Sequence, residues 1–161
     1  MPCQKQPICY LICGFPGAGK TTYAHGLSVE TGAVCLNPDT ACMRLFTPEQ
    51  YERNWDACFA KTVDYLWIQA ADYARRGQSV IFDMGFWTRQ SRQEASCKAR
   101  QIGFKVIVYY IDAPDAILKQ RLSQRSGIIA ARNLQNFENL RQKFEAPDVA
   151  QGETYIHIRN G

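Results

Sequence analysis

An apolar run, Ile8-Cys9-Tyr10-Leu11-Ile12-Cys13, leads directly into Gly14-Phe15-Pro16-Gly17-Ala18-Gly19-Lys20-Thr21. A strand that feeds G-x-x-x-x-G-K-[ST] and opens into a helix is the pattern of a phosphate-binding loop, and few folds accommodate such a junction. A triphosphate needs many donors close to its oxygens, which only a loop poor in side chains supplies. Gly14, Gly17 and Gly19 permit that approach and the positive φ values the loop requires. Successive backbone N–H groups then form an anion nest, reinforced by the positive end of the helix that begins near Lys20. In this pattern Lys20 reaches the β- and γ-phosphates and Thr21 ligates Mg²⁺, while Phe15, Pro16, Ala18 and Thr22 complete the stretch that surrounds the nucleotide.

With 161 residues, and no repeat, low-complexity tract or linker, the sequence predicts one domain over 1–161. A chain of this size buries ~70% of its unfolded surface. Its longest apolar runs are strand-sized, which excludes a membrane-spanning helix. Met1-Pro2-Cys3-Gln4-Lys5-Gln6 lacks the apolar segment of a secretory leader. The seven cysteines are an odd number, with Cys9, Cys13 and Cys35 inside apolar runs, so they are expected to act as small core residues in a reducing compartment, the cytoplasm. Cys9 and Cys13 stand four apart, which is not the spacing of a zinc or redox pair. A net charge of +4 suits a protein that handles phosphate anions and does not by itself indicate nucleic acid.

Beyond the first strand the pattern alternates. It predicts a helix over Lys20–Glu30 ended by Gly32, a strand over Ala33–Leu36 and a helical region over Pro48–Arg76 with Trp55, Phe59, Val63, Leu66 and Ala70 at helical spacing. A strand follows at Ser79–Phe82, then a helix over Thr88–Ile102, a strand over Lys105–Ile111 and a helix from near Pro114 to about Arg125. A last helix over Asn133–Phe144 and a terminal strand at Thr154–Ile158 complete the chain. Strands that read as continuous apolar runs between helices imply a parallel sheet covered on both faces. Ligands of such sheets bind beyond the carboxyl ends of the strands.

Two carboxylates fall there. Asp39 follows the second strand in Leu36-Asn37-Pro38-Asp39, where it is either a helix cap or a general base. Asp83 ends the apolar run Val80-Ile81-Phe82, and a carboxylate after a buried strand needs a partner such as a metal, a water or a substrate hydroxyl. Residue 84 is Met, where an ATP-hydrolysing motor carries Glu, and the guanine-reading tetrapeptide Asn-Lys-x-Asp is absent. The remaining class is a small phosphotransferase whose acceptor hydroxyl is activated by a carboxylate. Such enzymes bring positive charge to the transferring group from a lid. Arg121, Arg125 and Arg132 lie in the right region, although helix-terminal arginines also serve simply to complement the helix dipole.

The sequence resembles the small P-loop kinases of the AAA_33 group, related to polynucleotide 5′-hydroxyl kinases, zeta-toxin-like kinases and chloramphenicol phosphotransferase. The resemblance covers nearly the whole chain. It rests on Gly14 to Thr22, Asn37-Pro38-Asp39, Asp83-Met84-Gly85-Phe86-Trp87-Thr88-Arg89, Asp112-Ala113-Pro114 with Arg121-Leu122 and Arg125, and Phe144-Glu145-Ala146-Pro147-Asp148. It implies a five-stranded α/β P-loop fold of strand order 2-3-1-4-5 with a small lid, ATP and Mg²⁺ as cofactors, Asp39 as general base and Arg125 as the lid arginine that stabilises the transition state.

The sequence departs from polynucleotide kinases at one position. These carry an Arg three residues after the base to hold a substrate phosphate, whereas here that residue is Cys42 and the nearest arginine is Arg44. Two helical positions amount to about 200° of rotation, so Arg44 should face elsewhere. The expected reaction is therefore transfer of the γ-phosphoryl group of ATP to a hydroxyl of a small molecule. A nucleic-acid 5′ end is the alternative acceptor, and an ATP-binding regulatory module the alternative without catalysis. Phe86 and Trp87, with Tyr51 and Trp55, either wall the acceptor site or belong to the core, Thr88 being the expected cap of the next helix.

Overall fold

The computed structural model describes residues 5–161, so Cys3 and most of the N-terminal stretch read for a leader lie outside the described residues. Five strands, β1 (Ile8–Gly14), β2 (Val34–Leu36), β3 (Val80–Gly85), β4 (Lys105–Asp112) and β5 (Ile156–Arg159), form one parallel sheet in the order β2-β3-β1-β4-β5. Strand β1 is central because it is the most continuously apolar: Cys9, Leu11, Ile12 and Cys13 are fully buried. Around the sheet run α1 (Lys20–Thr31), α2 (Pro38–Leu45), α3 (Pro48–Arg53), α4 (Trp55–Arg75), α5 (Arg89–Ile102), α6 (Asp115–Gln124), α7 (Ile128–Gln135) and α8 (Phe137–Lys143). None of these helices is long and apolar enough to cross a membrane, among the described residues.

Several boundaries differ from the sequence reading, each for a local reason. The region expected as one helix over Pro48–Arg76 is broken at Asn54, whose φ of −149° and ψ of 58° leave the helical well. Helix α3 starts on a capping box between Thr47 and Gln50, with Pro48 as its first residue. Helix α2 was not expected from periodicity; it begins at Asn37, whose side chain accepts the Thr40 N–H at 3.0 Å. The last expected helix, Asn133–Phe144, divides at Asn136 into the end of α7 and the whole of α8. Strand β3 does not stop at Asp83 but runs on to Gly85. Its pairing with β1 slips there, from Ile12 opposite Asp83 to Cys13 opposite Gly85, so Met84 is the extra residue of a bulge. Cys35 is exposed, not a core residue, because β2 is an edge strand. Cys9 and Cys13 do lie in the core, where burial pushes both thiols up to about 12.

The segment after β3 is fixed by a buried charge. Arg92 of α5 is 3% exposed, and its Nε and Nη2 donate to the two carboxylate oxygens of Glu153 at 2.7 and 3.1 Å. Its Nη1 donates to the carbonyls of Phe86 at 2.9 Å and Glu145 at 2.8 Å. Phe86, which sits at φ +46°, is thereby held in the left-handed region. Neutralising one partner of such a pair strands the other in a dry site at a cost of about 3–5 kcal/mol. Glu153→Gln is expected to lower the unfolding free energy by that amount, seen as a lower urea midpoint at an unchanged slope, and Arg92→Met with Glu153→Leu to recover part of the loss. A Glu153→Gln midpoint equal to that of the native chain would show that the pair contributes nothing.

Candidate active site

The glycines of the loop between β1 and α1 pack closely against the neighbouring protein. A Cβ on Gly14 would stand 2.6 Å from the carbonyl oxygen of Ile111, its partner on β4. Gly17 and Gly19 sit at φ +88° and +95°, where other residues are strained. Gly19 also caps α1, and no side chain bonds to the N–H groups that start the helix, nor does an acid stand in its first turn. Those groups have no partner within the helix, so the start of α1 presents donors to an anion. Lys20 folds back over the loop, with Nζ donating to the Phe15 carbonyl at 3.2 Å.

Phe15 anchors this loop from outside. Its ring is 2% exposed, stacked by Trp87 at 5.5 Å, met edge-on by Phe137 at 5.1 Å and Phe144 at 5.9 Å, and overlain by the Arg141 guanidinium at 5.1 Å. Trp87 and the buried Phe86 therefore pack under the phosphate-binding loop and are not an acceptor wall. Thr88 caps α5 as expected, with its Oγ1 accepting the Ser91 N–H at 3.0 Å.

Asp83 is 5% exposed and is not unpartnered. Thr21 Oγ1 donates to its Oδ2 at 2.8 Å and Asn37 Nδ2 to the same oxygen at 2.9 Å. Oδ1 receives no protein donor among the described residues. Asn37 thus joins the end of β2 to the end of β3 while its Oδ1 caps α2, so the capping role considered for Asp39 belongs to Asn37. Asp39 lies in the first turn of α2, with its side chain outside that bond. Partial shielding from water, with the Asp83 charge adding and Lys20 opposing, raises its carboxyl above the ordinary value. Lys20 is lowered by burial and by Arg125, against the upward pull of Asp83, Cys13 and Asp39. Lys20 thus feels the opposing charges of Asp83, Asp39 and Arg125.

On the other side of the loop a cavity of about 380 Å³ is lined by Gly17, Gly19, Thr22, Arg121, Arg125 and Asn160, among others. Arg121 donates to the carbonyls of Gly17 at 3.2 Å and Asn160 at 2.6 Å, and Asn160 Nδ2 donates to Ala18 O at 2.8 Å. Arg125 stands one residue past α6 in extended backbone, not on a continuous helical face with Arg121, yet both line the cavity. Arg132 is exposed on α7 and outside that lining. Pro16, half-buried, lies in the loop between Phe15 and Gly17. Cys42 is fully buried in α2, and Arg44 lines a cleft over the edge strand β2 that Thr21, Asn37 and Asp83 of the site also line.

The sequence reading missed Asn160 and Arg92. Asn160 was findable by topology, because it directly follows the last strand at the carboxyl edge. Arg92 carries a weaker signal, an arginine on the face that Ala95 and Ala99 bury.

The uncapped start of α1, with no acid in its first turn, fits a polyphosphate. No group of three His, Cys, Asp or Glu gathers as a metal cage among the described residues, so a cation at Thr21 would complete its shell from phosphate oxygens and water, as Mg²⁺ does. A profile of the AAA_33 family, described as an AAA domain, matches residues 10–147. The chain belongs to this family. Its fold is that of the P-loop kinases: a candidate kinase from Chloroflexus aurantiacus J-10-fl superposes with a TM-score of 0.72 at 20% identity, over 96% of this chain and 89% of that one. A sugar kinase from Janibacter sp. HTCC2649 gives 0.65 at 23% identity, covering 96% and 84%. A gluconokinase from Sinorhizobium meliloti 1021 gives 0.66 at 16%, covering 97% and 84%. No curated protein matches the chain by sequence.

Two glycines near this loop should respond oppositely to one added methyl. Gly14→Ala drives a Cβ into the Ile111 carbonyl and is expected to destabilise the fold at the β1–β4 pairing. Gly26, inside α1, has nothing within 4 Å of its Cβ position, so Gly26→Ala should stabilise by about 1 kcal/mol. Thermal unfolding of both variants checks this; a Gly14→Ala protein as stable as the parent would remove the close-approach argument.

Proposed function

We propose that this AAA_33 chain is an ATP- and Mg²⁺-dependent kinase of one domain that transfers the γ-phosphoryl group to a hydroxyl of a small molecule in the cytoplasm. The observation that carries the reading is the Asp83 carboxylate holding the Thr21 hydroxyl at 2.8 Å at the start of the uncapped helix, with Arg121 and Arg125 lining the cavity beside the glycine loop. The loop from Gly14 to Thr22 holds the phosphates, and Arg121 with Asn160 shapes the cavity beside them. Thr21 would hold Mg²⁺ through its hydroxyl, and the ion would supply positive charge to the phosphate oxygens. Asp83, already holding Thr21 and Asn37, orients that hydroxyl. Asp39 is left as the base: its carboxyl makes no cap, and its raised basicity suits proton removal. As the acceptor oxygen bonds to phosphorus and the bridge to the diphosphate breaks, Asp39 takes the hydroxyl proton, and Lys20 and Arg125 balance the charge on the moving group.

Transfer from γ-labelled ATP, screened across nucleosides, sugars, antibiotics and 5′-hydroxyl oligonucleotides, tests the reading. A labelled oligonucleotide alone would favour the nucleic-acid alternative, and ATP binding without any transfer a regulatory module. Asp39→Asn should lower kcat about 10²–10⁴-fold. The acid limb of the native pH profile should lie above the ordinary carboxylate range. A raised carboxyl binds its proton more readily in the folded state, so its ionisation costs stability as pH rises from the unfolded to the folded value. Asp39→Asn is therefore expected to unfold at a slightly higher temperature at neutral pH, and full activity with unchanged stability would remove Asp39 as the base.

The two cavity arginines should separate in kinetics. Arg125 makes no side-chain hydrogen bond among the described residues, so Arg125→Ala is expected to reduce kcat far more than ATP affinity. Arg121 is tied to the loop carbonyls, so Arg121→Ala should raise the KM for ATP more than it lowers kcat. Steady-state kinetics with equilibrium ATP titration checks both, and loss of ATP affinity alone in Arg125→Ala reverses the assignment.

A further inference from the structure

The cleft over β2 joins the carboxylate of the site to a cation on α2. It has a volume of about 510 Å³ and reaches from Asp83, with Thr21 and Asn37 bonded to it, to Arg44. Asn37, Thr40, Ala41, Arg44 and Leu45 recur at the spacing of one helix face, so α2 turns the same side to the cleft along its length. The two-residue step that takes the arginine away from the buried position of Cys42 puts it on this face. Arg44 stands seven residues from Asn37, about 10 Å along the helix axis. Tyr51 and Trp55, which pack on each other in α3 and α4, are outside the lining.

Much of the polar lining has no protein partner. His25, Thr40, Arg44 and Tyr73 face the cleft and make no side-chain hydrogen bond among the described residues. Strand β2 adds a backbone pair. Val34 N–H donates to the Ser79 carbonyl at 3.0 Å, so the next residue, Cys35, turns its N–H and C=O to the open edge of the sheet. The exposed Leu45 and Tyr65 give the same cleft apolar surface on which a carbon chain packs. Asp83 is the one acid of the lining among the described residues, and its Oδ1 is free of protein donors.

We propose that this cleft holds the acceptor, and that the acceptor is a small polyhydroxy compound with one anionic end, a carboxylate or a phosphate, paired with Arg44. The proposal rests on the kinase reading and names its substrate class. Orientation follows from charge. An anion beside Asp83 is repelled, whereas at Arg44 it gains charge-assisted hydrogen bonds from a guanidinium that has no other partner among the described residues. The far end of the molecule then lies at Thr21 and Asp83, where Thr21 opens α1 and the turn that carries Asp39 opens α2. A hydroxyl at that end is the one presented for transfer. Between the two ends, Thr40, Tyr73 and the Cys35 backbone offer uncharged donors and acceptors, which match hydroxyl groups and not a second charge.

Xylitol, xylonate and xylitol 5-phosphate share one polyol chain and differ at one end, so calorimetric titration of all three into the full chain saturated with ADP and Mg²⁺ tests the proposal. At least one anion should bind about tenfold more tightly than xylitol, and the tighter of the two identifies the anionic group. Arg44→Met should remove that tenfold and leave xylitol binding, ADP affinity and the unfolding temperature unchanged, while Arg44→Lys, which keeps the charge, should lose less than about threefold. Xylitol binding as tightly as both anions, no binding of either anion, or equal losses for xylitol and the anion in Arg44→Met each overturns the proposal. So does native anion affinity in Arg44→Met, the result for an anion held by the glycine loop instead. Transfer from γ-labelled ATP, measured on the same proteins, separates the two readings. Anion binding that depends on Arg44, without transfer to any hydroxyl, keeps the cleft and removes the kinase. Transfer to xylitol and to the anions at equal rates that Arg44→Met leaves untouched keeps the kinase and removes the anionic acceptor.

Discussion

The start of α1 is the constraint around which the rest of the structure is organised. A helix whose first N–H groups have no side-chain cap is incomplete by itself, and here the residue in the cap position is a glycine at φ +95°. Leaving those donors bare is tolerable in water and favourable around an anion. The fold must then keep the loop open against its own side chains. It does so by drawing Phe15 outward into an aromatic cluster beneath α8 and by bringing Gly14 so near to β4 that no side chain is possible there.

A second consequence is the use of buried polar groups as spacers. Asp83 takes two hydrogen bonds on one oxygen, from α1 and from the end of β2, so a single carboxylate sets the distance between the loop and the segment that carries Asp39. Arg92 does the same on the other side, spanning Phe86, Glu145 and Glu153. A buried charge of this kind is a poor source of net stability and a good source of definite geometry, because every alternative placement leaves it unpaired. The left-handed Phe86 is the local strain that this geometry imposes, and it sets Trp87 against Phe15.

The strands and the loop were legible because both rest on strong local patterns, continuous apolar runs for β1, β3 and β4 and fixed glycine spacing for the loop, whereas the strand order came only from the family resemblance. Helix α2 was not, since Pro38-Asp39-Thr40-Ala41-Cys42-Met43-Arg44-Leu45 buries only Pro38 and Cys42 and shows no clean stripe. The breaks at Asn54 and Asn136 were hidden because the apolar spacing continues across them while the backbone does not. Asn37 was read as part of a resemblance and not as a cap that also bonds Asp83, which depends on β2 and β3 being neighbours. Asn160 and Arg92 act across 142 and 61 residues of sequence, to Ala18 and Glu153, distances over which no local pattern speaks.

The charges of the site divide along the sheet. Lys20, Arg121 and Arg125 gather at the loop and toward β4 and β5, where they line or face the cavity beside the glycines. Asp39, Glu52 and Asp56 mark the opposite side, beyond β2 and β3, together with the exposed aromatic rings. The division is not complete. Cys42 takes the buried position on α2, but Arg44, two residues on, lines a cleft that Thr21, Asn37 and Asp83 also line, so one cation stands on the side of the carboxylates and offsets their charge where β2 and β3 end.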